Sequence, residues 1–129
     1  MSEHILQDAE TQATQNKTVQ EDVLDIYEDL LRTVWTKIVP TLGTVTVATI
    51  MQRSINRSSA KHSFLKHLTV SDTGFDFADV VANINDVNVA EMKEGFKGLV
   101  ASLFDILAKL TGNILIRQLE REVEGFEVL

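Results

Sequence analysis

The sequence contains no cysteine, one proline and only six glycines among its 129 residues. Without cysteine, the chain forms no disulfide bond and has no thiolate, and a structural zinc site lacks a frequent ligand. The same absence fits a reducing compartment, so we expect a cytoplasmic protein. Because glycine and proline are scarce, we expect long secondary-structure elements with few turns between them.

Aromatic residues are also scarce, at 6% of the chain, but hydrophobic residues as a whole reach 44%. Together with 24% charged residues, this composition is typical of a folded soluble protein. The first ten residues, MSEHILQDAE, are acidic and lack an apolar run, so we expect no secretory signal. Residues 1–17 show no sustained hydrophobic period, which predicts a flexible acidic and polar tail before one helical domain over residues 18–129.

Acidic residues are absent between Asp29 and Asp72, although the chain as a whole has a net charge of −7. The overall charge argues against general affinity for nucleic acid, so we do not expect a nucleic-acid partner. A local basic surface remains compatible with binding a phosphate or an acidic partner. Six basic residues lie in the acid-free block: Arg32, Lys37, Arg53, Arg57, Lys61 and Lys66.

The segment after the tail has the pattern of a long amphipathic helix. Thr18 and Glu21 form a capping-box pattern, in which each side chain satisfies the backbone N–H of the other. The sequence therefore predicts a helix over residues 18–39 that ends or kinks near Pro40. Apolar residues recur at intervals of three and four: Val23, Tyr27, Leu30, Leu31, Val34, Trp35 and Ile38.

A second long helix is predicted over residues 89–111. Asn88 stands in the N-capping position, and Gly112 breaks or bends the helix at its end. Apolar residues follow the helical period from Val89 to Leu110. A last helix then continues, with Leu115, Leu119 and Val123 on one face.

The stretch TVTVATI, residues 44–50, fits either a strand or a helix. Its alternation and its β-branched residues favour a strand. However, apolar residues recur every four positions, and no turn signal precedes the helical MQRSINR, so we favour a helix. Residues 34–51 contain Lys37, Pro40 and five threonines, so we expect a buried core helix rather than a membrane span.

A small β-hairpin is predicted within residues 64–77, around the sequence Ser-Asp-Thr-Gly. Apolar residues flank this turn signal on both sides, and Gly74 supplies the positive φ that such turns require. A short helix follows in DFADVVANI. The predicted fold class is therefore mainly α, a bundle-like single domain of four or five helices with one small hairpin.

The same turn spells Asp72-Thr73-Gly74, the motif of aspartic proteases. In retroviral-type enzymes this motif lies in an all-β homodimer, where two aspartates share a proton. Here Ser71 precedes Asp72, and amphipathic helices flank the region. We therefore interpret Asp72 and Gly74 as turn residues.

No other pattern indicates catalysis, a cofactor or a metal. His62 and His67 are five residues apart, which is not the spacing of a helical metal pair. The aspartates from Asp72 to Asp79 lack the glycine and closing glutamate of a calcium loop. Phosphate-binding glycine loops, nucleophile elbows and zinc motifs are absent from the sequence. We expect a protein that is not an enzyme and binds no cofactor.

Arg53, Arg57 and Lys61 would share one face of a helix, since each follows the last by four residues. They form our candidate site for an anion or an acidic partner. The alternative, which we favour, is a solvated surface that pairs with acidic residues of the first helix and complements the helix dipole. The candidate acidic partners are Asp22, Asp25 and Asp29.

Gly95, Gly98 and Ala101 form a strip of small residues beside the apolar face of the helix over residues 89–111. Each glycine costs about 1 kcal/mol relative to alanine, so close approach of another element is expected there. The neighbour is either another part of this chain or a second subunit. We expect a homodimer, because the apolar arc of this helix is wide for one small bundle to cover. The opposing possibility is that residues 41–55 and the last helix cover the arc.

These observations predict a non-catalytic regulatory or adaptor protein that acts through helix surfaces and self-associates. One alternative is a sensor whose helices enclose a small apolar or anionic molecule. A weaker alternative is phosphate or nucleic-acid binding through the basic helix face.

Overall fold

The computed structural model describes residues 18–124, and the side chains of Asn113, Ile114 and residues 122–124 are not described. Our expectations for residues 1–17, for residues 125–129 and for the side chain of Val123 therefore lie outside the described part. The described chain is mainly α-helical, as predicted, with a two-stranded antiparallel sheet. Its elements are α1 (Val19–Leu42), α2 (Thr44–Ser59), a first 3₁₀ helix (Ser63–His67), β1 (Thr69–Ser71), β2 (Gly74–Asp76), α3 (Ala78–Asn83), a second 3₁₀ helix (Ile84–Asp86), α4 (Val89–Thr111) and α5 (Asn113–Glu124).

Helix α1 begins at the predicted cap, where the Glu21 backbone N–H donates to the Thr18 hydroxyl oxygen at 3.1 Å. It extends three residues further than predicted, because the helix continues through Pro40. A proline at this position removes the N–H that would donate to the carbonyl of Thr36, but it does not end the helix. The end comes at Gly43, whose φ of 82° is a conformation that glycine adopts readily.

Residues 44–50 are helical and form the first half of α2. The β-branched residues do not prevent this, because Val47 and Ile50 are buried against the rest of the chain. The Thr49 hydroxyl donates a hydrogen bond to the Val45 carbonyl oxygen at 2.9 Å, so this polar group has a partner within the helix. Burial of one helical face therefore outweighs a local preference for strand.

The hairpin forms where it was predicted, with Val70 opposite Phe75 and Ser71 opposite Gly74. Gly74 has a φ of 119°, and the exposed turn consists of Asp72 and Thr73. The strands occupy only the central part of the predicted range 64–77, and Phe64 at its start lies in the first 3₁₀ helix.

Helix α4 has the predicted bounds. The Ala90 backbone N–H donates to the side-chain oxygen of Asn88 at 2.8 Å, and Gly112 follows the helix with a φ of 76°. Helices α2 and α4 run antiparallel, because Val45 lies beside Leu110 at one end, whereas His62, just after α2, contacts Glu91 at the other.

The core lies where α1, α2, α4 and the first 3₁₀ helix meet. The ring of Phe96 is fully buried, stacked on Tyr27 with centroids 4.9 Å apart and edge-on to Phe64 at 5.4 Å. Most of the apolar arc of α4 is buried within the single chain, through Met92, Phe96, Leu99, Leu103, Ile106 and Leu107, whereas Leu110 at its end is exposed. The width of this arc therefore does not by itself require a second subunit. No helix in the described residues is long and apolar enough to cross a membrane.

Candidate functional site

The predicted basic face is only partly continuous. Arg53 and Arg57 are exposed on α2, one turn apart. Lys61 does not extend their face, because α2 ends at Ser59 and Lys61 lies in the turn that follows. The spacing of four residues implies a shared face only while the helix continues.

The acidic partner of this face lies on α4 rather than on α1. Arg57 Nη1 is 3.4 Å from Asp105 Oδ2, and Lys109 Nζ donates to the same oxygen at 3.1 Å. Within residues 18–124, no ion pair joins Arg53, Arg57 or Lys61 to an aspartate of α1. The expected pairing with Asp22, Asp25 and Asp29 is wrong for Arg57, because α2 packs chiefly against α4.

Asp105 is the centre of this charge cluster. The hydrogen bond and charge of Lys109, followed by those of Arg57, hold the pKa of Asp105 below its ordinary value. The carboxylate is half exposed, so these contacts set its protonation more than they stabilise the fold. Arg53 forms no ion pair in the described part of the chain and keeps its charge available.

Beside Arg53 lies an apolar groove of about 260 Å³ between the start of α2 and the end of α4. Val45 is 70% exposed and Leu110 is 63% exposed, which is high for large apolar side chains. Ile50 and Ile106 are buried beneath them. We call this the α2–α4 groove, and it is lined by Val45, Thr46, Thr49, Ile50, Arg53, Ile106 and Leu110.

A second groove of about 420 Å³ adjoins the first along α2 and reaches the hairpin at Val70. Thr49 and Arg53 line both grooves, so the two form one continuous surface. The lining of this second groove is more polar and includes Gln52 and Asn56, which hydrogen-bond to each other at 2.9 Å. Arg53 thus stands between an apolar and a polar region.

The strip of small residues on α4 has two different environments. A Cβ added at Gly95 would lie 2.5 Å from ring carbons of Phe64, so Gly95 permits a close contact within this chain. A Cβ added at Gly98 would meet nothing within 4 Å, and Ala101 is exposed. The close neighbour of Gly95 is therefore Phe64, whereas the space beside Gly98 is open and Ala101 is exposed.

Sequence reasoning missed Val45 and Leu110 as surface residues. Leu110 continues the apolar period of α4, so the pattern assigned it to a core face, and Val45 lay in the segment that fitted either a strand or a helix. They are exposed because they lie at the ends of two antiparallel helices, where no further element of the described chain covers them. Periodicity along one helix contains no information on where its neighbour ends.

The other candidates of the sequence form no reactive cluster. Asp72 is exposed at the turn of a two-stranded hairpin in a mainly helical chain, so the Asp-Thr-Gly motif lacks the all-β context of an aspartic protease. His62 Nδ1 lies 2.6 Å from Glu91 Oε1 and ties the turn after α2 to α4. In residues 18–124, no group of three or more acidic or histidine side chains could hold a metal ion.

No protein-family model, no curated protein and no solved structure matches this chain. The function of this chain can therefore be inferred only from its own surface. An apolar groove beside an available guanidinium is suited to a partner that brings an apolar group together with a carboxylate or phosphate.

Proposed function

We propose that this protein is a non-catalytic regulatory or adaptor protein that acts through its helix surfaces and self-associates. The observation that carries the proposal is the exposure of Val45 and Leu110 beside Arg53 in the α2–α4 groove. Exposed apolar side chains that adjoin each other and have a polar rim are typical of protein-binding surfaces.

The charge around the groove favours an acidic partner. Arg53, Arg57 and Lys109 are basic and Asp105 is acidic, so this region has a local charge of +2 in a chain whose net charge is −7. A partner segment with apolar residues on one side and aspartate or glutamate beside them would match both properties.

A small-ligand sensor would enclose its ligand between helices, whereas the α2–α4 groove and the second groove beside it are open to solvent. A phosphate site formed by all three predicted residues is disfavoured, because Arg57 is paired with Asp105 and Lys61 lies beyond the helix, which leaves Arg53 unpaired on α2 in the described chain. Both observations support the adaptor proposal over its two alternatives.

The test is quantitative co-purification of the tagged chain from cells that express it, read by mass spectrometry. Val45→Asp and Leu110→Asp place a carboxylate in the groove, and Val81→Asp is the matched control because Val81 is an exposed valine on α3. We expect the groove variants to lose a partner that the wild type and Val81→Asp retain. Arg53→Gln should weaken recovery of the same partner, and recovery should fall with rising salt.

Recovery of the same proteins with the wild type and with both groove variants would contradict the proposal. Circular dichroism of each variant separates this result from loss of fold. Because Val45 and Leu110 are exposed, we expect both variants to fold, with Leu110→Asp costing about 1 kcal/mol because a carboxylate in the last turn of α4 opposes the helix dipole.

A further inference from the structure

The outer face of α4 has charges of alternating sign around a small residue. Glu94, Lys97, Ala101, Asp105 and Lys109 follow one another at intervals of three or four residues, so they lie along one side of the helix. All five are exposed. From the start of the helix to its end, the charges read negative, positive, neutral, negative and positive.

This order is self-complementary when the helix is reversed. Lys97 lies four residues before Ala101 and Asp105 lies four after it, while Glu94 lies seven before and Lys109 eight after. We infer that two copies of this chain pack by this face, with their α4 helices antiparallel and crossing near Ala101. Lys97 of each copy then faces Asp105 of the other, and Glu94 faces Lys109.

A two-fold axis makes each contact occur twice, as a closed dimer requires. A parallel arrangement of the same two helices would place Lys97 against Lys97 and Asp105 against Asp105. Like charges opposite each other oppose association, so the charge order selects the antiparallel arrangement.

The residues at the centre allow the two helices to approach closely. Gly98 lies within the helix, where glycine costs about 1 kcal/mol relative to alanine, and nothing in the described chain would obstruct a side chain there. Gly95 differs, since the ring of Phe64 occupies the space beside it. A second helix packed at Gly98 and Ala101 would use these small residues for close contact, whereas the described chain leaves the space beside Gly98 open.

The charges at this face are available for a second copy. Glu94 and Lys97 form no ion pair within residues 18–124. Asp105 already contacts Arg57 and Lys109 but remains 46% exposed, so one oxygen can accept a further donor. The inference rests on the self-association in the proposed function and names the surface that produces it.

The test is sedimentation velocity of the full chain from low-micromolar to submillimolar concentration. Ala101→Arg places a long side chain at the crossing point, and we expect it to weaken dimerisation by at least about tenfold. Ala82→Arg on α3 is the matched control, because Ala82 is also an exposed helical alanine, and it should leave the dimer unchanged. Circular dichroism confirms that each variant retains its helices.

A charge exchange tests the antiparallel register. Glu94→Lys should weaken the dimer because the new lysine faces Lys109 of the second copy, and adding Lys109→Glu should restore association. If Ala101→Arg dimerises as strongly as the wild type does, the proposed interface is wrong, but self-association through another surface is not contradicted. A wild type that stays monomeric throughout overturns both the interface and the self-association in the proposed function, and partner binding at the α2–α4 groove is tested separately.

Discussion

Gly95 and Gly98 lie three residues apart on α4 but differ in what a side chain would meet. We predict that Gly95→Ala lowers the free energy of unfolding by about 1–3 kcal/mol, because the new Cβ overlaps the packed ring of Phe64. Gly98→Ala should raise it by about 1 kcal/mol, because the site is open and alanine is the better helix former. Urea unfolding at a low concentration, where association is minimal, measures both.

Gly98→Ala serves as the control for Gly95→Ala, since both replace a glycine in the same helix. A gain of stability in Gly95→Ala would mean that Phe64 moves aside at little cost, and the close contact would then be unimportant. Neither result depends on the proposed dimer, provided that the two variants sediment as monomers under the conditions used.

Tyr27 should make stability depend on alkaline pH. It is buried in a stack on Phe96, and burial raises the pKa of Tyr27 above its ordinary value of 10.0. The folded state therefore keeps the proton to higher pH than the unfolded state does. The associated stabilisation is fully present below 10.0 and is lost as the pH rises through the folded-state pKa.

The measurement compares the wild type with Tyr27→Phe, which keeps the ring and removes the titrating hydroxyl. We expect the free energy of unfolding to fall more steeply above pH 10.0 in the wild type than in the variant. Tyr27→Phe leaves every other ionisable group in place, so only the difference between the two curves counts. Parallel curves would show that Tyr27 has the same pKa in the folded and unfolded states.

At the scale of elements, α1 contains a proline that its last turn does not need. We predict that Pro40→Ala raises the free energy of unfolding by about 1–3 kcal/mol, because alanine restores an N–H that can donate to the Thr36 carbonyl. The gain is limited by the greater freedom of the unfolded chain, which costs about 0.4–1 kcal/mol. Thermal unfolding followed by circular dichroism gives the comparison.

Thr41→Ala is the control for Pro40→Ala, because Thr41 is the exposed neighbour in the same turn. It should change stability by less than about 0.5 kcal/mol. If Pro40→Ala instead destabilised the protein, the proline would be supporting the path of the chain into Gly43 and α2.

Most elements could be predicted from sequence because their signals are local. Thr18 and Asn88 cap their helices through backbone groups two or three residues away, and Gly74 meets a conformational need of its own turn. Residues 44–50 were harder, since strand propensity and helical spacing disagreed there. The segment is helical because burial of Val47 and Ile50 against the rest of the chain outweighs the intrinsic strand preference, which is worth less than about 1 kcal/mol per residue.

At the scale of the whole molecule, the ring of Phe96 connects three elements. It stacks on Tyr27 of α1, meets Phe64 of the first 3₁₀ helix and belongs to α4. We predict that Phe96→Ala lowers the free energy of unfolding by about 3–5 kcal/mol, because it leaves a cavity where these elements meet. Val81→Ala, at an exposed site, should cost less than about 0.5 kcal/mol.

Two probes decide whether Phe96→Ala affects the whole fold. Circular dichroism reports the helices, and the fluorescence of Trp35 reports the region near the hairpin, where its ring lies 6.0 Å from that of Phe75. Coincident unfolding curves at a lower denaturant concentration are the expected result, since one continuous core should unfold in one step. Separate transitions would show that the hairpin region is stable without this core.

The sequence by itself determined the helices, their caps and the hairpin, because these depend on spacing and on contacts between residues close in the chain. Only the tertiary structure decided that Asp105 pairs with Arg57, that Phe64 covers Gly95, and that Val45 and Leu110 are left exposed. These outcomes depend on which helices meet and where each one ends. Hydrophobic period identifies the face that a helix buries, but the candidate surfaces arise where a neighbouring helix stops or is absent.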